Sequence, residues 1–127
     1  DSGLIICHKT RIRANEVADM KVIGDVEGKN IIVVDDMIDT AGTICKAADM
    51  LIDNGAASVR AVATHAVLSG KAYENIEKSK LTEVIFTVSI PQKQPCSKIK
   101  VLPIAPMFAD TIRNIYEHKS ISDHFLM

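Results

Sequence analysis

The sequence predicts an α/β domain built on a mostly parallel sheet flanked by helices. Three observations carry this. Short runs of branched apolar residues recur along the chain, at Leu4–Cys7, Ile31–Val34, Ser58–His65, Glu83–Thr87 and Ile99–Leu102. Stretches with helical spacing fall between or after them, at about Ile44–Asp53, Lys71–Lys78 and Ala105–Glu117. The resulting order, β–loop–β–β–α–β–α–β–β–α, alternates as βαβ units do.

Composition sets the bounds. A chain of 127 residues suits one domain, and 47% hydrophobic residues supply a core. A net charge of -1 and the absence of Trp argue against a nucleic-acid surface or a base-stacking platform. No apolar run approaches the length of a membrane span. Cys7, Cys45 and Cys96 are odd in number and widely spaced, so neither a disulfide framework nor a zinc site is indicated. Buried free thiols in a reducing cytosol are expected. The chain opens on Asp1-Ser2-Gly3 and runs almost at once into a strand, which reads as a segment of a longer protein.

Leu4–Cys7 is a short buried-type strand. His8-Lys9-Thr10-Arg11-Ile12-Arg13-Ala14-Asn15-Glu16 follows, basic and without a clear period. A solvated charged loop is the plain reading. The functional one is a mobile cationic loop that closes over phosphates, with Lys9 and Arg11 alternating so that both face one ligand. Lys21–Val26 reads as a second strand, and Glu27-Gly28-Lys29-Asn30 as a turn to Ile31–Val34. That spacing predicts an antiparallel hairpin between the two.

Ile31–Val34 reads as a strand buried on both faces of a parallel sheet. Asp35 and Asp36 stand at its carboxyl end, where open α/β sheets bind ligands. Asp39-Thr40-Ala41-Gly42-Thr43 then turns into a helix. A helix N-terminus offers backbone N–H groups and the positive end of the dipole to a phosphate. Gly42 permits close approach, and Thr40 and Thr43 add hydroxyl donors. Carboxylates accept hydrogen bonds from vicinal hydroxyls, so Asp35 and Asp36 suit a sugar. The run as a whole describes a sugar-phosphate site. Each residue taken singly is more at home in a capped helix after a core strand, with surface acids.

Gly55 sits where the helix should end. His65 lies at the end of the next strand; a lone His there is more often a hydrogen-bonded structural residue than a catalyst. Ala66–Gly70 is a turn and Gln92–Lys98 a polar loop. Pro106 is tolerated in the first turn of the last helix, with Met107, Ile112 and Ile115 among its apolar positions. His118-Lys119 closes it with favourable charge. Ser120-Ile121-Ser122-Asp123-His124-Phe125 is a polar tail ending on an aromatic.

The run Asp35-Asp36-Met37-Ile38-Asp39-Thr40-Ala41-Gly42-Thr43 resembles the phosphoribosyl-diphosphate-binding loop of the type I phosphoribosyltransferase fold. Its particular form is similar to that of the ribose-phosphate diphosphokinase family; ordinary phosphoribosyltransferases more often carry a small residue where Asp39 stands. His8–Arg11 with Ala14–Val17 resembles the family's catalytic flexible loop, and Thr64–Gly70 a segment bordering its active site. Ser120, Ser122 and Phe125 match a family tail. The family usually has Asp or Asn where this chain has Val88, so no role is carried to that position. The resemblance runs from Leu4 to Phe125.

The resemblance implies a phosphoribosyltransferase-like, Rossmann-like domain, with a hairpin carrying the flexible loop. Residues 1–127 would form a single C-terminal domain, without its first elements and without an N-terminal domain. The implied reaction transfers the diphosphoryl group of ATP to the 1-hydroxyl of ribose 5-phosphate, with magnesium, giving phosphoribosyl diphosphate and AMP. Lys9 and Arg11 would be catalytic, with Arg13 as a possible helper. Asp35, Asp36, Asp39, Thr40, Ala41, Gly42 and Thr43 would bind ribose 5-phosphate. Ser120, Ser122 and Phe125 would line a regulatory phosphate or ADP site between subunits. No metal ligand is assigned in this segment. A cytoplasmic homo-oligomer of dimers building a hexamer is implied, with no nucleic-acid or membrane partner. The rival readings are a non-catalytic regulatory paralogue and a phosphoribosyltransferase that consumes phosphoribosyl diphosphate.

Overall fold

The structure, a computed structural model, describes residue 3 and residues 6–13 and 16–122, with side chains described for residue 3 and residues 23–122. It contains a two-stranded antiparallel ribbon and a four-stranded parallel sheet. The ribbon is β1 (Ile6–Arg13) and β2 (Glu16–Ile23). The sheet has the order β3 (Asn30–Ile38), β4 (Ser58–Ala66), β5 (Glu83–Thr87), β6 (Ile99–Leu102). Helix α1 (Gly42–Asp53) joins β3 to β4, α2 (Ala72–Lys78) joins β4 to β5, and α3 (Ala105–Tyr116) follows β6.

The core lies on one face of the sheet. Val59, Ala61 and Ala63 of β4, with Val84 and Phe86 of β5, alternate inward as strand residues must. Against them α1 sets Ile44, Cys45, Ala48 and Leu51, and α2 sets Ala72, Tyr73 and Ile76. Small residues on β4 let the helices approach closely. Leu51 is fully buried, so its truncation to Ala would cost about 2–5 kcal/mol.

α1 ends in a Schellman motif. Gly55 takes φ 95°, its N–H donates to Ile52 O at 2.9 Å, and the Ala56 N–H donates to Leu51 O at 3.0 Å. α3 ends the same way with a residue that bears a Cβ. His118 takes φ 57°, donates to Ile115 O at 3.1 Å, and the Lys119 N–H reaches Asn114 O at 2.8 Å.

Three sequence expectations are corrected. First, His8–Arg13 is strand, not loop, and the antiparallel partner of β1 is β2. Second, β2 and β3 do not form a hairpin. Gly24 (φ 126°) breaks the chain after β2, and Gly28 (φ 67°) donates to Gly55 O at 2.8 Å. That bond docks the turn against the end of α1 instead of folding it back. Third, among the described residues β3 is covered on one face only. Sheet order advances steadily from β3 to β5, and right-handed crossovers then put consecutive helices on the same side. The other face presents Ile32 and Val34 to solvent, Val34 at 76% exposure. α3 likewise carries no buried residue, and its apolar stripe of Phe108, Ile112 and Ile115 is exposed.

The open face also carries an ion-pair chain. Glu83 on β5 accepts from Arg60 Nε on β4 at 2.8 Å and from Lys100 Nζ on β6 at 2.7 Å. Lys100 first and Arg60 second hold the Glu83 carboxyl below the ordinary glutamate range. A carboxylate whose value is lowered by folding stabilises the fold above its unfolded value, and that contribution fades as pH falls through the folded one. Glu83→Gln should therefore lower the melting temperature at pH 7. The gap from the parent should close on acidification below about pH 4. A gap that stays constant down to pH 3 in thermal melts would contradict this account of the three-strand tie.

A laced pair of loops at the candidate functional site

β3 and β4 stay in register to their carboxyl ends, where Ile38 pairs with Ala66. Two loops therefore leave side by side, one into α1 and one into α2. They are laced together. The Leu68 N–H donates to Ile38 O at 3.1 Å, and the Ser69 N–H to Asp39 O at 3.1 Å. The Ser69 hydroxyl donates to Asp39 Oδ1. Asn75 Nδ2, from α2, donates to Thr40 O at 2.9 Å. Three successive carbonyls of the loop, at Ile38, Asp39 and Thr40, are thus satisfied from the neighbouring loop and helix.

Strain accompanies the lacing. Ala41 (φ 61°) and Leu68 (φ 46°) both occupy the left-handed region, one in each loop. Such residues cost about 1–3 kcal/mol each and persist where surrounding bonds over-determine them. Both are also buried, Ala41 at 4% and Leu68 at 2% exposure. Ala41 is the N-cap of α1, yet its methyl cannot accept a hydrogen bond from the first turn. No acidic residue stands in that turn either. The positive end of α1 therefore carries no carboxylate of its own.

Asp35 and Asp36 are exposed at the end of β3. Each carboxylate accepts from the next backbone N–H, Asp36 N at 2.9 Å and Met37 N at 2.7 Å. Consecutive strand residues point to opposite faces, so a ligand that meets both must straddle the strand end. Among the described residues, no ion pair involves Asp35, Asp36 or Asp39. Asp39 differs from the other two because its carboxylate is occupied by Ser69. Gly42 and Thr43 open α1. Among the described residues, a Cβ at Gly42 would meet only Thr40 Oγ1, at 3.8 Å, which leaves room beside it.

The remaining candidates are more scattered. Lys9 and Arg11 lie on β1, opposite Met20 and Val17, with a register shift between Thr10 and Arg11; their side chains, like that of Arg13, are outside the described set. Ser120 Oγ donates to Ser122 Oγ at 2.9 Å and accepts from the Ser122 N–H at 3.1 Å. Phe125 lies outside the described residues. Cys45 is buried and burial pushes its thiol up. Cys96 is partly buried, and burial and the Glu77 carboxylate raise it as well. Among the described residues, no group of three or more His, Cys, Asp or Glu side chains is arranged to hold a metal ion.

His65 has a structural partner. Its Nδ1 lies 2.9 Å from Ser89 Oγ, and the Ser89 hydroxyl reaches Thr64 O at 2.9 Å. Ser89 thus bridges the His65 ring and the Thr64 carbonyl, which also accepts from Thr87 Oγ1 at 2.7 Å, and its hydroxyl pins the role that Nδ1 plays.

Ser69 and Asn75 were not among the sequence candidates. Ser69 sits in the Thr64–Gly70 segment, but nothing local marks Asn75, which reaches Thr40 across 35 residues of chain.

Fold and loops together define a parallel α/β domain with a laced helix N-terminus at the carboxyl end of its edge strand. Residues 7–126 match the phosphoribosyl synthetase-associated domain, and the chain belongs to that family. It is 50% identical over 119 residues to the ribose-phosphate pyrophosphokinase of Porphyromonas gingivalis, covering 94% of this chain and 38% of that protein. Against the Helicobacter hepaticus ribose-phosphate pyrophosphokinase it is 56% identical over 122 residues, covering 96% of this chain and 40% of the relative. A crystal structure of phosphoribosylpyrophosphate synthetase from Mycobacterium smegmatis superposes with a TM-score of 0.78 at 40% identity, covering 90% of this chain and 37% of that one. The chain thus spans well under half the length of these relatives.

Removing the serine that fixes His65 should free its tautomer. In Ser89→Ala, the ring 15N shifts at neutral pH should move from one dominant tautomer toward a mixture. An unchanged spectrum would show that Ser89 does not set the tautomer.

Proposed function

We propose that this chain is the ribose 5-phosphate-gripping part of a ribose-phosphate diphosphokinase. One observation carries the reading. A helix N-terminus without a carboxylate of its own follows exposed Asp35 and Asp36 at the carboxyl end of a parallel strand. The relatives over 38% and 40% of whose length it aligns are named for that activity.

In this reading Thr40, Ala41, Gly42 and Thr43 hold the 5-phosphate through backbone N–H and hydroxyl donors. Asp35 and Asp36 orient ribose hydroxyls from either side of the strand end. Asp39 shapes the loop, since its carboxylate is held by Ser69. Attack of the ribose 1-hydroxyl on the β-phosphorus of ATP forms the new P–O bond and expels AMP. Charge develops on the phosphoryl oxygens, and catalysis of such a step is mainly positioning and electrostatic stabilisation. Lys9 and Arg11 supply that positive charge. No magnesium ligand is assigned in this segment; the family resemblance puts the main ligands N-terminal to it or on a neighbouring subunit.

The whole protein is part of the same proposal. The exposed apolar face of β3 and the bare stripe of α3 need a covering layer, because all-parallel sheets are ordinarily packed on both faces. The length that the relatives have beyond this span would supply it, as an N-terminal domain and the missing first elements of this one. ATP binding, a cytoplasmic location and a hexamer built of dimers complete the reading. Ser120, Ser122 and Phe125 would line the regulatory phosphate or ADP site.

Two outcomes are expected. The 127-residue chain alone should make no AMP from ATP, magnesium and ribose 5-phosphate. The full-length protein should make it, and Lys9→Ala should lower the rate about 100-fold or more. A full-length protein that binds ribose 5-phosphate without forming AMP would point to the regulatory paralogue. Diphosphate release with a purine or pyrimidine acceptor would point to a phosphoribosyltransferase.

Gly42→Ala gives a sharper test of the loop. The added methyl has room in the protein and Ala suits a helix, so the melting temperature should stay within about 2 °C. Ribose 5-phosphate affinity should nevertheless fall about 10-fold, because the methyl occupies the ligand's approach. Unchanged affinity by calorimetry would remove the loop from the site.

A further inference from the structure

We propose that Ser69 and Asn75 are positioning residues that set the Asp39–Ala41 turn in its anion-gripping shape before ligand arrives. The inference deepens the reading above and rests on it, since it takes the turn to be the phosphate grip.

The geometry is that of the peptide units. The carbonyls of Ile38, Asp39 and Thr40 accept from Leu68, Ser69 and Asn75. Among the described residues no peptide bond is cis, and in a trans peptide the C=O and the N–H of one unit point in opposite directions. Tying three successive carbonyls toward the β4–α2 side therefore turns the N–H groups of Asp39, Thr40 and Ala41 away from it. Successive N–H groups turned to one side form an anion-binding concavity. The Ser69 hydroxyl on Asp39 Oδ1 adds a second tie. It also draws that carboxylate toward the brace. Ala41 in the left-handed region completes the turn into α1.

The ligand class follows from the donors. The turn would take a phosphomonoester, and the brace would remove an ordering cost that binding would otherwise meet. Neither side chain needs to touch the phosphate. Their loss should weaken the sugar phosphate selectively and leave nucleotide binding alone.

The test uses the full-length protein with Asn75→Ala, Ser69→Ala and Ser69→Thr. Ribose 5-phosphate affinity is read by calorimetry, KM for each substrate and kcat by AMP formation, and folding by thermal melts. Asn75→Ala should raise Kd and KM for ribose 5-phosphate about 10-fold, the loss expected for one hydrogen bond, with KM for ATP and kcat within about twofold. Ser69→Ala should act in the same direction, and Ser69→Thr, which keeps the hydroxyl, should restore affinity. Should Asn75→Ala fail to fold, the two Ser69 variants carry the test. Equal losses for both substrates would make these residues merely structural and overturn the proposal. If Gly42→Ala weakens ribose 5-phosphate while the brace variants do not, the brace fails and the site reading survives. If none of them changes ribose 5-phosphate binding, both fail.

Discussion

The pairing of β3 with β4, held in register up to Ile38 and Ala66, is the constraint on which the rest of this chain depends. Because both strands stop at one level, the loops that follow emerge as neighbours. Each can then meet the other's backbone, and Leu68, Ser69 and Asn75 reach the three carbonyls that β3 leaves behind. A slip of one residue would send the β4 side chains to the wrong face and break the lacing at once. The small residues of β4, Ala61 and Ala63, serve the same end by letting α1 and α2 seat closely. Packing in the core and geometry at the loop are thus fixed by one register.

Strain is placed where that register can carry it. Ala41 and Leu68 are both held at positive φ without being glycine. Elsewhere positive φ falls on Gly24, Gly28, Gly55 and Gly70, where it costs little, and on His118 at the end of α3. Left-handed Ala and Leu in facing loops at a strand end mark a shape kept against local preference, which is common at ligand clamps. The opposite face of the sheet differs in kind. There a polar tie from Arg60 through Glu83 to Lys100 runs beside exposed Ile32 and Val34.

Much of this was legible in the sequence because it is local. The β–α alternation, the Asp35–Thr43 run and the Gly55 stop each declare themselves within a few residues. The α/β class and its parallel sheet followed from them. The misses come from pairing, which is not local. His8–Arg13 has no hydrophobic period, so its membership of a ribbon with β2 could not be read from its own residues. The apolar run of β3 looks the same whether one face or two are covered. The brace was hidden for the same reason, since Ser69 and Asn75 act across 30 and 35 residues of sequence. In α3 the apolar stripe was visible, but what it faces was not.

The central claim is that the turn from Asp39 into α1 receives the phosphate of ribose 5-phosphate. The most direct measurement is a ribose 5-phosphate titration of the 15N-labelled full-length protein, followed at the backbone amides. The account predicts that the amides of Thr40, Ala41, Gly42 and Thr43 shift together with one saturation curve, and that ribose lacking the phosphate leaves them still. Saturable shifts confined to another part of the protein, with these amides unmoved, would contradict it.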